Sequence, residues 1–210
     1  MASLIDFMIQ RQDTIITNLQ IHASMVLTAL AISITIGLII GYLITYNKAA
    51  AKIVIYICSI MMTIPSLALF VFLIPFFGIG AKPATVGLVI YTLLPIVRNV
   101  YVGLTNIDPA VISAARGMGM REAAITLKIK VPLALPVVFA GLRTAVVMGI
   151  GLGAIAAYIG AGGLGVLIFQ GINRGNNNMI LAGALVISLL AVIIDRILYM
   201  VQIRAERMVR

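Results

Sequence analysis

Long apolar stretches that carry few charges restrict the fold of this chain more than any other feature. About 20 apolar residues are enough to cross the hydrocarbon core of a membrane as a helix. With 62% hydrophobic and 10% charged residues among 210, the chain leaves no room for a sizeable soluble domain. We therefore predict an all-α polytopic membrane protein that forms a single transmembrane domain over residues 1–210. The five predicted transmembrane helices cover residues 21–46, 53–77, 84–104, 133–160 and 179–200.

The first twenty residues differ from these spans because charges alternate with apolar side chains. Asp6, Arg11 and Asp13 are interspersed with leucine, isoleucine, phenylalanine and methionine. This mixture favours an amphipathic helix at the membrane surface, so residues 1–20 are predicted to be a lead-in. The segment lacks the basic start and cleavage site of a signal peptide, so we expect it to remain in the mature protein.

Two of the spans contain residues that suit a passage or a gate. Span two is interrupted by a proline between hydroxyl residues, which kinks the helix and either lines a path or shapes the bundle. Span four carries glycines that allow close helix packing, and a tyrosine near its far end suits a membrane interface. The candidate pathway or gate residues are Thr63, Pro65, Ser66, Gly149, Gly153 and Tyr158.

The distribution of basic residues predicts the orientation. With five spans, twelve of the fifteen Lys and Arg residues fall on the side that carries the segment 105–132. Because basic residues concentrate on the cytoplasmic side, we predict an external N-terminus and a cytoplasmic C-terminus. The same rule accounts for the net charge of +9 without nucleic-acid binding.

The sequence disfavours several kinds of chemistry. It has no phosphate-binding loop, and the G-x-G-x-x-G pattern at 160–165 follows a membrane helix, whereas dinucleotide binding requires a preceding strand. We find no metal-ligand cluster and no nucleophile with a base, so neither an enzyme nor a cofactor is expected. The acids lie near span ends, which disfavours an ion-coupled carrier. His22, the one histidine, is either a proton site or an interfacial residue with a water or carbonyl partner.

A basic, helix-prone segment, 114–132, lies between the third and fourth spans. Asp108 and Pro109 predict a helix start, since aspartate caps free N–H groups and proline suits a first turn. We expect one helix over 109–116 and a second over 120–130, joined by a bend at Gly117 and Gly119 and ended by Pro132.

This segment resembles the "EAA" loop of ABC-importer permease subunits, which reads Glu-Ala-Ala, three residues, Gly, nine residues, Ile-x-Leu-Pro. Ala114, Ala115, Gly119, Ile129 and Pro132 match that spacing. The chain has serine where the family often has the glutamate and valine where it often has the leucine. The later Glu122-Ala123-Ala124 is out of register with the motif.

The resemblance implies that the loop 105–132 is a coupling helix that sits in a groove of an ATPase subunit. Small residues and glycines would admit close approach and the bend, while charged residues and methionine would contact the partner. The residues assigned to this ATPase coupling are Ala114, Ala115, Arg116, Gly117, Met118, Gly119, Arg121 and Glu122.

Further stretches resemble permeases of the osmoprotectant uptake group, binding-protein-dependent inner-membrane components of bacteria. These include Thr63 to Leu69, Ile74 to Gly80, Leu94 to Asn99, Ala140 to Thr144 and Ile159 to Gly165. The group imports glycine betaine, choline or carnitine, and methionine-importer permeases are similar. The resemblance thus implies a multi-pass protein of the bacterial cell membrane with two ABC ATPase subunits, which bind ATP and Mg, a second permease, identical or paralogous, and a separate solute-binding protein. A membrane subunit that only assembles a larger complex is the remaining alternative.

Overall fold

The computed structural model describes residues 4–209, and within this range the chain folds into helices and short connections, without strands. Met1 to Ser3, part of the predicted lead-in, and Arg210 lie outside the described residues. The helices are α1 (Leu4–Gln10), α2 (Gln12–Leu43), α3 (Lys48–Thr63), α4 (Ser66–Phe77), α5 (Ala81–Thr105), α6 (Pro109–Gly117), α7 (Glu122–Ile125), α8 (Val131–Ala156), α9 (Gly165–Asn173) and α10 (Asn177–Val209).

Within residues 4–209, four continuous helical stretches are long and apolar enough to cross a membrane, and the bent pair α3–α4 adds a fifth if it forms one span. The predicted all-α membrane fold is confirmed, with different boundaries. The helix of the first span already begins at Gln12, inside the predicted lead-in, and α1 packs against α2 and α10. The predicted lead-in is therefore divided between α1 and α2. Within α1, Phe7 and Met8 pack against the protein core.

The second span is broken, whereas the sequence predicted only a kink. α3 ends at Thr63, α4 begins at Ser66, and the two helices meet at an angle of 100°. Pro65 disfavours helical backbone at Ile64, which is extended with φ −68° and ψ 130°. The carbonyl of Ile64 accepts a hydrogen bond from the hydroxyl of Tyr91 on α5, which stabilises the break.

Helix α5 lies at the centre of the bundle and packs against α2 and α8, and α8 in turn packs against α10. Glycines bring the backbones together: a Cβ atom at Gly37 would lie 2.6 Å from Ile96, and one at Gly41 would lie 2.6 Å from Val100. Within this seam, the buried Thr92 hydroxyl donates to Ser33 at 2.9 Å. Close approach and an interhelical hydrogen bond together fix α2 against α5.

The glycine-rich turn after α8 lies at the end of the bundle that is distant from α6 and α7. Gly160, Gly162 and Gly163 all have positive φ, a region that residues with a Cβ atom rarely adopt. The turn is tied down where Gly80 N–H donates to the Ile159 carbonyl at 3.0 Å. It leads into α9, which packs against α10 and buries Leu167.

His22 lies in the interior beside this turn. It is fully buried, its Nε2 atom is 3.1 Å from the Ile150 carbonyl, and its Nδ1 atom has no hydrogen-bond partner among the described residues. Cβ atoms placed at Gly153 and Gly163 would both lie 3.1 Å from its side chain. The predicted carbonyl partner is thus present, and the histidine packs between α8 and the glycine turn.

Candidate functional site

The elbow formed by α6 and the residues up to α7 is the most distinctive feature at the end of the bundle opposite the glycine turn. Helix α6 begins at Pro109, as predicted, and the Asp108 carboxylate accepts a hydrogen bond from the Ala110 N–H at 2.8 Å. This cap satisfies one of the free N–H groups at the helix start. The chain therefore enters the elbow along a fixed direction.

Helix α6 ends in a Schellman motif centred on Gly119. The N–H of Met120 donates to the Ala115 carbonyl at 3.1 Å, and the N–H of Gly119 donates to the Arg116 carbonyl at 2.9 Å. Gly119 has φ +79°, the left-handed conformation that this motif requires. The predicted bend therefore depends on Gly119, whereas Gly117 is the last residue of the helix and has no positive φ.

An ion pair connects the two arms of the elbow. Arg116 Nε lies 2.6 Å from Glu122 Oε1, and both side chains are largely exposed, at 58% and 62%. The Glu122 carboxylate raises the pKa of Arg116 above its ordinary value through this hydrogen bond. Exposed ion pairs add little stability. The contact therefore orients α6 relative to α7 but contributes little to the stability of the elbow.

Helix α6 presents an apolar stripe to its surroundings. Val111, Ala114 and Met118 follow the i, i+3, i+7 spacing of one helix face, and all three are exposed, Met118 by 74%. Ala115, by contrast, is only 1% exposed and packs inward. The structure therefore divides the two alanines of the motif between an outer and an inner face.

Two exposed residues of the elbow were missed by the sequence reasoning. Val111 extends the apolar stripe, and Leu127 on the second arm is 69% exposed. The helical spacing from Val111 to Met118 was the available signal for the first. Arg121 is also exposed, so the surface combines apolar and basic side chains.

The second arm is part of a longer helix than predicted. It begins at Glu122, two residues later than expected, and continues through Pro132 as one helical stretch to Ile159. A π-turn at Thr126–Lys130 precedes the proline, and Val131 N–H bonds to Thr126, five residues back. Such a widened turn accommodates a proline ring, so Pro132 does not end the segment.

The candidate pathway residues lie in three places. Thr63, Pro65 and Ser66 meet at the break between α3 and α4, where the Thr63 hydroxyl donates to the Ile60 carbonyl at 2.7 Å. Tyr158, with 62% of its surface exposed, packs edge-on against Phe169.

The two glycines of this set are occupied by helix packing. A Cβ atom at Gly149 would lie 3.4 Å from Thr92, and one at Gly153 would lie 3.0 Å from Val26. Both positions therefore face neighbouring helices of the same chain. Neither is brought together with Tyr158 by a contact that the structure records.

A polar network joins α8 to α10 and was not predicted. Arg143 donates to both carboxylate oxygens of Asp195, at 2.9 and 3.0 Å, and to Gln202 at 2.9 Å. Its guanidinium also lies 4.7 Å from the centre of the Tyr199 ring. Because the pair is about three-quarters buried at Arg143, it specifies how the last helix aligns with α8.

Comparison with known proteins decides what kind of protein carries this elbow. A family model described as "binding-protein-dependent transport system inner membrane component" matches residues 33–207. The chain belongs to this family. It is therefore a multi-pass permease of the inner membrane, as the resemblance implied, and membership of the family implies ATPase, binding-protein and second-permease partners.

Individual relatives of the permease agree with this assignment. The osmoprotectant import permease protein OsmW of Salmonella typhimurium is 44% identical over 87% of each chain. The glycine betaine/carnitine/choline transport system permease protein OpuCB of Bacillus subtilis is 37% identical over 84% of this chain and 82% of its own. Among solved structures, a chain of the inward-facing MetNI methionine ABC transporter superposes with a TM-score of 0.76 at 26% identity, covering 93% of this permease and 96% of that chain.

Proposed function

We propose that this permease forms the translocation path of an ATP-driven importer for a quaternary-amine osmoprotectant such as glycine betaine, choline or carnitine. The observation that carries the proposal is the similarity to OsmW and OpuCB, which extends over more than four-fifths of the permease. A separate binding protein delivers the solute, and recognition resides mainly there.

The solute is tested by competition uptake in cells that carry or lack the permease. Labelled glycine betaine should enter only when the permease is present, and excess unlabelled choline or carnitine should reduce its uptake. Uptake that is inhibited by methionine alone would instead support an amino-acid importer. The fold shared with the MetNI transporter is the observation that favours this second candidate.

The energy is supplied by two ABC ATPase subunits, which hydrolyse ATP and dock on the elbow. The outer stripe of Val111, Ala114 and Met118 packs into an apolar groove of the ATPase, while Arg121 contributes charge at its edge. The Arg116–Glu122 pair orients the two arms of the elbow relative to each other, and Ala115 faces inward. A second permease, identical or paralogous, completes the path.

Docking is tested by co-purification of the ATPase. Met118→Asp should abolish co-purification because it places a charge in an apolar contact, whereas Leu127→Asp, an equally drastic change on the second arm, should reduce it less. Retention of the ATPase by Met118→Asp would contradict the proposed docking face.

The elbow lies in the cytoplasm, with the N-terminus outside and the C-terminus inside. The distribution of basic residues supports this orientation. It is tested after Cys58→Ala removes the one cysteine, by introducing Met118→Cys or Lys82→Cys. A membrane-impermeant maleimide should label the Lys82→Cys variant in intact cells and the Met118→Cys variant only after lysis.

The proposed gate includes the break at Thr63, Pro65 and Ser66, and Tyr158 near the opposite end of the path. Gly149 and Gly153 contribute by allowing α8 to move against α2 and α5 with little side-chain obstruction. Ser66→Cys should react with a small thiol reagent at a rate that changes when ATP is added.

A further inference from the structure

Two cavities meet beneath the elbow and differ in polarity. An apolar groove of about 480 Å³ runs between α2, α5 and the start of α8, and Leu38, Val100 and Leu135 are among its lining residues. A second cavity of about 650 Å³ is more polar and extends to α3 and α6. Tyr42, Leu104, Ala123 and Thr126 line both cavities, so the two form one continuous amphipathic recess.

The position of the recess matches the edge of a membrane leaflet. Leu38 lies eight residues before Tyr46, where the first long apolar helical stretch ends, which corresponds to about 12 Å along a helix. The hydroxyls of Tyr42 and Tyr46 hydrogen-bond to each other at the polar end. Tyrosines of this kind concentrate where hydrocarbon gives way to headgroups. The groove is therefore at acyl-chain depth and the polar cavity at headgroup depth.

Two lysines leave the polar cavity with excess positive charge. Lys48, in the first turn of α3, and Lys130, at the end of the π-turn, both line it. Arg116 and Glu122 line it as well, but they neutralise each other at 2.6 Å. Within residues 4–209, neither lysine forms an ion pair with a carboxylate. Thr126 adds a hydroxyl to the same lining.

We propose that this recess binds an anionic phospholipid. Its phosphate lies between Lys48 and Lys130, and one acyl chain occupies the groove beside Leu38 and Leu135. A single phosphate balances only one of the two ammonium charges, so a headgroup with net negative charge fits better than one that carries its own cation. The lipid joins α6 to the bundle, because Ile112 and Ser113 of α6 also line the polar cavity. This inference does not depend on which solute is transported.

The test measures binding of dioleoylphosphatidylglycerol and dioleoylphosphatidylcholine to the delipidated full-length chain in detergent, by native mass spectrometry. We expect phosphatidylglycerol to bind more tightly. Each basic residue near an anionic lipid typically raises the binding constant about fivefold. The double variant Lys48→Gln/Lys130→Gln should therefore bind phosphatidylglycerol about 25-fold more weakly.

Matched variants separate the site from general surface charge. Lys52 and Lys128 lie on the same two helical segments, are exposed, and do not line the recess. Lys52→Gln/Lys128→Gln should change the affinity less than twofold. Likewise, Leu38→Trp should fill the groove and weaken binding, whereas Leu43→Trp on an exposed face of the same helix should not.

Three results would overturn the proposal. Equal binding of the two lipids would remove the role of headgroup charge. Equal losses in the two lysine double variants would indicate non-specific attraction to the basic surface. Displacement of the lipid by soluble glycerol phosphate at millimolar concentration would indicate an anion site without an acyl chain.

Discussion

The clearest test of the elbow is to place alanine separately at its two glycines. Gly119 has φ +79°, and a Cβ atom there would meet no atom within 4 Å. The cost of Gly119→Ala therefore comes from the backbone conformation alone, about 1–2 kcal/mol for a left-handed residue with a side chain. A Cβ atom at Gly117 would likewise meet no atom within 4 Å. Gly117 lies in helical backbone, however, where alanine is favoured over glycine by about 0.5–1 kcal/mol. The two substitutions add the same methyl group and should act in opposite directions.

The backbone cost of Gly119→Ala predicts a measurable effect on the coupling between the ATPase and the permease. If the bent elbow is the form that docks, a cost of about 1–2 kcal/mol lowers its population relative to the unbent form by about 5- to 30-fold. Gly119→Ala should therefore weaken ATPase association and solute-stimulated ATP hydrolysis. Gly117→Ala should leave both unchanged or slightly stronger. Gly119→Asn should fall between Gly119→Ala and the native chain, because asparagine tolerates this conformation better than alanine.

The assay is ATP hydrolysis by the assembled transporter in proteoliposomes, measured with and without loaded binding protein. Association of the ATPase is measured separately by co-purification. Equal losses for Gly117→Ala and Gly119→Ala would refute the reasoning, because the effect would then follow from added volume at the docking surface. Unimpaired coupling in Gly119→Ala would show that the Schellman turn is not needed.

Three further predictions concern the body of the permease, each read out by thermal unfolding in detergent. Gly165→Ala should prevent stable folding, because the new Cβ atom would lie 1.9 Å from a backbone carbonyl oxygen of α8. Gly151→Ala should be tolerated, because its Cβ atom would meet no atom within 4 Å. Equal tolerance of the two substitutions would contradict the observed packing at Gly165. Tyr91→Phe should lower the free energy of unfolding by about 1–2 kcal/mol, since the carbonyl at the α3–α4 break loses its donor; an unchanged stability would mean that water replaces the hydroxyl. Arg143→Met should lower the free energy of unfolding by about 1–3 kcal/mol, because it leaves Asp195 unpaired. The double variant Arg143→Met/Asp195→Leu should recover most of this loss, because both charges are then removed. Additive losses would exclude coupling between the two residues.

Local signals in the sequence predicted the parts of the elbow that depend on single residues. Asp108 and Pro109 determine the start of α6 through a cap and a fixed φ, and the observed helix begins at Pro109. Gly119 provides the turn because few other residues adopt its φ. Composition alone was enough for the membrane fold, and the family resemblance is confirmed by the match over residues 33–207.

Features that depend on distant residues could not be predicted in this way. Arg143 and Asp195 are 52 positions apart, and their pairing follows from the packing of α8 on α10. The burial of His22 requires the Ile150 carbonyl, 128 positions away. Pro132 is a local exception: a π-turn at Thr126–Lys130 precedes it, and the helix continues through the proline, which normally ends a helix.

The uninterrupted helical stretch from Glu122 to Ile159 has a mechanical consequence. At 38 residues it is about 57 Å long, which exceeds the thickness of a bilayer including its headgroups. If it tilted as one unit by 5° at the elbow, its far tip would move by about 5 Å. That tip ends where Gly80 is tied to Ile159, so a single helical stretch connects the elbow to the glycine-rich turn.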